Sequence, residues 1–419
     1  VAHSILNSLN SNNHWGFCMT NGGGAAYWEA NFGQGDPNGE NNFTDSNGRG
    51  GFRYEPPQGF LALCTANMKD NDYAKIGPNS AAGTPDKHFD TLLWSGTSPA
   101  VDGVQVSGLG FQPDLVWGKV RNSTNSHWIL DSLRGASRRI ISSSSAAEDV
   151  PSAIIHSFDD GGFTLGTNSE SNKSANFVAW CWKAGNETKI NNDGAISSTV
   201  SVNQDAGFSI VSYTGTGANT NTGHGLNSTP EWILFKALDD VYNWEVYHHK
   251  TGATPHQATL MLNSSDATRN VLHEAVTATT IPVTHTYTGA SAAGKRMIAY
   301  CWHSVEGYSK FGSFEGNNNP DGAFVYLGFK PAWVMVKNSG TSHANHDWII
   351  FDNKRHPTNT IDAFLRANET TVETTSGRNE IDFLSNGFKA RSSYGDFNST
   401  ESYVYMAFAE MPFKYATAS

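Results

Sequence analysis

Three times along its 419 residues the chain passes through the same landmarks in the same order. A feeder strand comes first (residues 89–96, 207–215 and 307–316). A glycine-to-proline launch follows: Gly110-Phe111-Gln112-Pro113, the looser Gly225 to Pro230, and Gly328-Phe329-Lys330-Pro331. Each launch opens an apolar run containing Leu115-Val116-Trp117, Trp232-Ile233-Leu234 or Trp333-Val334-Met335. A polar residue, Asp131, His248 or Asp352, stands at a similar distance beyond, and each copy closes on an Ala-aromatic stretch (177–182, 297–302 and 405–408). The launches recur roughly a hundred residues apart, which is domain-sized and far too long for a solenoid.

The copies read as β-structure. Their apolar segments are short, rich in Val, Ile, Tyr, Phe and Trp, and bounded by Gly, Pro, Asn and Ser. Residues 332–336 are apolar on both alternating sets of side chains, so that strand should be central and covered on both faces. A proline just before a strand removes no ladder hydrogen bond. No apolar stripe of helical period exceeds about three turns. The pattern predicts an all-β chain of three tandem, jelly-roll-like β-sandwiches at 87–206 (with a linker), 207–306 and 307–419. Leu115, Trp232 and Trp333 should be equivalent, and Val116, Trp180, Ile233, Tyr300, Val334 and Phe408 should be buried.

Charge narrows the function classes. The formal net charge is −11 and charged residues make up 16%. A phosphate-tracking surface needs clustered Lys and Arg, so nucleic acid is not an expected partner. The surface is instead neutral, hydrogen-bonding and loop-rich. No run approaches the ~20 apolar residues of a membrane span, and the start of the chain, which opens on Val1, has no signal-peptide pattern. Of four cysteines, Cys181 and Cys301 hold the same place in two copies, which reads as core packing rather than a disulfide.

No catalytic set stands out, and the chain reads as a non-enzyme without cofactor or metal. Asp131 with Arg134, and Asp352 with Arg355, read as acids that cap a turn and pair locally. His248-His249 are adjacent, so in a strand they point to opposite faces and chelate poorly. His343, His346 and Asp347 read as a solvated loop, and Gly-x-Ser-x-Gly, P-loop and His-Glu-x-x-His patterns are absent. Trp117, Trp232 and Trp333 fall inside apolar strands and read as core. Aromatics beside polar loops are the glycan-binding candidates: Trp15, Trp94, Tyr242, Trp244 and Tyr394.

Several phrases resemble a known family. The run Asn31-Phe32-Gly33-Gln34, then Phe52-x-Tyr54-x-Pro56-Pro57-x-Gly59-Phe60-x-Ala62-Leu63-Cys64-Thr65-Ala66-Asn67, resembles the exit of the SPRY-like, concanavalin-type sandwich in tail-fibre proteins of marine bacteriophages. Those proteins continue into tandem modules with phrases close to residues 89–93, 110–117, 178–185, 307–313 and 405–414. Residues 1–86 are then a partial SPRY-like segment with a proline-rich exit and linker. The resemblance implies a virion-surface, extracellular appendage with other virion proteins as partners, and a homo-oligomer, trimeric for appendages of this kind. It carries no catalytic residues. The resulting expectation is a tail-fibre-type protein that binds a host-surface glycan. The alternatives are a structural spacer or decoration protein, a bacterial adhesin, and a depolymerase tailspike.

Overall fold

The computed structural model describes residues 42–52, 54–58, 62, 76–77, 80–185, 187–251, 258–284, 291–340, 346–375, 377 and 380–410. The chain divides into two compact units, 1–70 and 71–419. In the first, the described part is a turn in which the Asp45 carboxylate accepts the N–H groups of Asn47, Arg49 and Ala62, beside a bridge between Phe43 and Phe52. Most of the SPRY-like exit, Trp15, Cys18, Cys64 and His343 lie outside the described residues.

The second unit is all-β, built from antiparallel sheets. Each copy of the phrase supplies one large and one small sheet. In the first copy the feeder Phe89–Ser95, closing strand Asn176–Trp182, launch strand Leu115–Val120 and Trp128–Asp131 lie side by side in that order. The feeders Phe208–Thr214 and Ser309–Glu315, closing strands Arg296–Trp302 and Ser402–Ala409, and launch strands Trp232–Ala237 and Pro331–Asn338 repeat it. Register makes the equivalence residue-specific. Leu115 lies opposite Trp182, Trp232 opposite Trp302, and Trp333 opposite Phe408. On the neighbouring strand Asp131, His248 and Asp352 face those same three launch residues.

The launch strands are buried along their whole length because each face meets a different partner. Val116 in the first copy, Ile233 and Phe235 in the second, and Val334 and Val336 in the third point toward the small sheet of their own copy, inside a sandwich. The alternate residues Trp117, Trp232, Leu234, Trp333 and Met335 point the other way, into one core shared by all three copies. Rings from different copies touch there: Trp182 lies 6.1 Å from Trp302 and 5.8 Å from Trp333, and Phe89 stacks 4.9 Å from Phe408. Val116, Trp180, Ile233, Tyr300, Val334 and Phe408 are fully buried.

The three copies, consecutive along the chain, pack about their common core, each bonded to the other two. One feature differs from the sequence reading. The stretch read as a linker after the first copy forms strands Thr188–Asn191 and Ser198–Asn203, a hairpin that pairs with the second copy's feeder and extends its sheet. Among the described residues no helix is long and apolar enough to cross a membrane.

Candidate functional site

The ring closes through one contact used three times. The residue just before the strand that follows each launch is His127, Trp244 or Trp348, all fully buried. Trp244 Nε1 donates to the Ile141 carbonyl of the first copy at 2.8 Å, and Trp348 Nε1 to Met261 of the second at 2.8 Å. His127 Nε2 meets the Arg366 carbonyl of the third at 3.0 Å. Backbone amides repeat the cycle, Glu148 N–H donating to Leu238 and Glu373 N–H to Arg121. Asp131, His248 and Asp352 also reach across copies: Asp131 accepts the Tyr300 hydroxyl at 2.6 Å, Asp352 accepts Trp180 Nε1 at 3.0 Å, and His248 Nε2 lies 3.4 Å from the Tyr405 carbonyl. Asp131 and Asp352 cap turns and bind Arg134 and Arg355, as read from the sequence. Their chemistry is docking.

Docking also explains three lysines. Lys119, Lys236 and Lys337 hold the same place in their launch strands and are fully buried. Each ammonium donates to the carbonyl of the next residue, at 2.8, 2.7 and 2.6 Å. Burial pushes each pKa down to about 8.

A cleft of about 970 Å³ lies where the second copy meets the edge of the third. One wall is the feeder Ser309–Glu315, the outermost strand of its sheet; the other is Phe324–Tyr326, the outermost strand of the small sheet. Along the latter strand Val325 is buried while Phe324 and Tyr326 are 47% and 58% exposed. Two aromatic residues, about 7 Å apart along the backbone, therefore share one outer face. Lys310 Nζ donates to the Tyr326 carbonyl at 2.7 Å and lies 5.2 Å from its ring centroid.

The second copy contributes Glu231 and His249. Glu231 Oε2 accepts the N–H of Ser304 at 2.9 Å and also its hydroxyl. His249 Nε2 donates to the Phe311 carbonyl at 3.1 Å, and burial lowers its pKa against the opposing pull of Glu231. Glu231 follows its launch proline as Asp114 follows its own. Asp114 binds the equivalent amide, Ala184 N–H, at 2.7 Å. The Glu231 carboxylate is thus the local counterpart of a structural clasp, not a free acid or base. Among the described residues no group of three His, Cys, Asp or Glu could hold a metal.

Among the described residues, the glycan candidates Trp94, Tyr242, Trp244 and Tyr394 do not converge. Trp244 is a ring-closing anchor with no exposed surface, so its assignment as a binding residue is corrected. Trp94 is half-buried, stacked on Phe177 and bonded to the Ser171 carbonyl. Tyr242 packs against the interior of the second sandwich, and Tyr394 precedes the short helix Gly395–Asn398. The sequence reading missed Phe324 and Tyr326, whose only signal is alternation around Val325. Residues 84–412, all three copies together, match the family described as a domain of unknown function (DUF7483), and the chain belongs to that family. No curated protein matches it.

Proposed function

We propose that this DUF7483 member is a non-catalytic binding component of a virion appendage, of bacteriophage tail-fibre type, that holds a host-surface glycan at the cleft of its third copy. The observation that carries the reading is the pair of exposed rings, Phe324 and Tyr326, on one face beside a hydrogen-bonding groove. Saccharide rings stack on such faces through their C–H surfaces while neighbouring polar groups bind the hydroxyls. The acidic balance of the chain opposes direct attraction to anionic polymers, so binding rests on stacking and hydrogen bonds and changes little with salt. Hydrolysis would need a free carboxylate pair across the groove, and Glu231 is held by Ser304.

The same reading places the protein on the virion surface, outside the host cell, with other virion proteins as neighbours. An oligomer, trimeric for such appendages, would have to use a surface other than the ring-closing face, which the copies already bury among themselves. Calorimetric titration of the purified chain with isolated host-surface polysaccharide tests the proposal. Saturable binding that Tyr326→Ala weakens at least tenfold supports it. New reducing ends would mean a depolymerase, and no binding by the folded protein would leave a spacer or decoration protein. A bacterial adhesin would show the same chemistry and is separated by finding the protein on cells rather than on virions.

A further inference from the structure

Among the described residues no other segment lies over the launch glycine of the third copy, and the other two copies show what fits there. In the first, the turn Pro85–Lys87 lies over the launch glycine: a Cβ on Gly110 would come within 3.0 Å of the Asp86 carbonyl and closer still to the Lys87 side chain. In the second, the hairpin strand Ser198–Asn203 pairs along the feeder, and its neighbour Ile196 bridges to Thr222 on the small sheet. A Cβ on Gly225 would meet Val202 at 2.8 Å and Val200 at 3.2 Å. In the third, the nearest atom to the corresponding point on Gly328 is the Tyr326 hydroxyl of its own copy, at 3.6 Å. Polypeptide covers this place twice; no described segment covers it the third time.

Chain length explains the difference. The connector from Trp182 to Phe208 is long enough for a hairpin, whereas that from Trp302 to Ser309 makes a single turn. That turn begins as the hairpin strand does. Val305 exchanges both backbone hydrogen bonds with Ser309, the site that Asn203 faces across from Phe208. It then leaves the edge. Ser304 Oγ and His249 satisfy the outward N–H and C=O of Phe311. Strand alternation turns the next such pair, on Ser313, into the cleft with no partner among the described residues. Its counterpart Ser212 faces Thr199 of the hairpin. An unpaired edge of this kind is a template for a further strand.

We infer that the cleft of the third copy accepts an extended segment of another polypeptide, added to the feeder edge at Ser313, with two small β-branched apolar residues two positions apart lying over Gly328. This goes beyond the glycan reading and does not rest on it, because it uses the backbone edge at Ser313, although both occupants would lie in the same cleft beside the Tyr326 ring.

The probe is the chain's own hairpin strand as a blocked peptide, residues 197–204 (SSTVSVNQ), added to the full chain. Amide exchange at Ser313 should slow at least tenfold on peptide addition. A peptide with Val200→Asp and Val202→Asp should leave it unchanged. Ser313→Pro removes only an outward N–H at an edge, so it should abolish peptide binding while leaving the melting midpoint in place. No slowing at millimolar peptide, or peptide binding that survives Ser313→Pro in a folded protein, overturns the inference. So does the same protection produced by saccharide but not by peptide. Should Ser313→Pro fail to fold, the exchange measurement on the unmodified chain still decides.

Discussion

Asp352→Ala is the sharpest test of how the ring is held. The Asp352 carboxylate has no solvent exposure and makes three bonds: to the Arg355 backbone N–H at 2.8 Å, to Arg355 Nε at 2.5 Å, and to Trp180 Nε1 of the first copy at 3.0 Å. Its removal leaves a guanidinium, itself fully buried, with only Glu373 and the Ile350 carbonyl. Breaking one side of a buried pair costs about 3–5 kcal/mol. The orphaned indole N–H adds about 1 kcal/mol or more, offset by the surviving bond to Glu373. The net expectation is a loss of about 4 kcal/mol. The second copy shows how to relieve it, since His248 and Thr251 stand where the other copies have Asp and Arg. The double variant Asp352→His with Arg355→Thr should therefore cost less than Asp352→Ala alone, because no unpaired charge remains. Urea unfolding followed by tryptophan fluorescence gives each stability, and a double-mutant cycle should return a coupling of about 2–3 kcal/mol. A loss below about 1 kcal/mol for Asp352→Ala, or strict additivity in the cycle, refutes the reasoning.

Three further outcomes are expected. Trp244→Ala and Trp348→Ala should each cost about 3–5 kcal/mol in the same assay, because each empties a junction and strands a carbonyl; Phe324→Ala, at an exposed site, should cost under about 0.5 kcal/mol. Lys119, Lys236 and Lys337 have folded pKa values of about 8 against an ordinary lysine value of 10.5, so between those values the unfolded chain binds more protons. Stability should accordingly rise from pH 8 to about 9.5, and Lys236→Met should flatten that slope by up to about 1.4 kcal/mol per pH unit. Cys181 and Cys301 are buried free thiols whose pKa burial raises, so a thiol reagent should reach them only after unfolding.

How much of this was legible depends on the range of the interaction. The equivalence of Leu115, Trp232 and Trp333 was readable because each stands at the same step from its launch proline, a local spacing. That residues 332–336 would be covered on both faces was readable from their unbroken apolarity. What covers the second face was not, since a shared core leaves the same hydrophobic signature as any other lid. Trp244 misled for a related reason: Asp239, Asp240 and Asn243 made its loop look solvated, yet the ring beside them is buried against a carbonyl of the first copy. The cleft escaped notice because an open edge is defined by a strand that is missing. Only comparing the short turn after Trp302 with the hairpin after Trp182 would have revealed it.

The ring has a consequence for valency. Three separate, identical subunits would carry three copies of any cleft, and symmetry would forbid changing one alone. Fusing the copies into one chain lifts that restriction: two grooves are covered by the polypeptide leading into them, and among the described residues no segment covers the third. On the proposed reading each molecule would then engage one ligand through this groove. Strong attachment to a surface must come from several molecules held together at a spacing the surface can match. The apparent affinity of an array should then rise steeply with the number of bodies displayed and collapse to the single-site value when they are released.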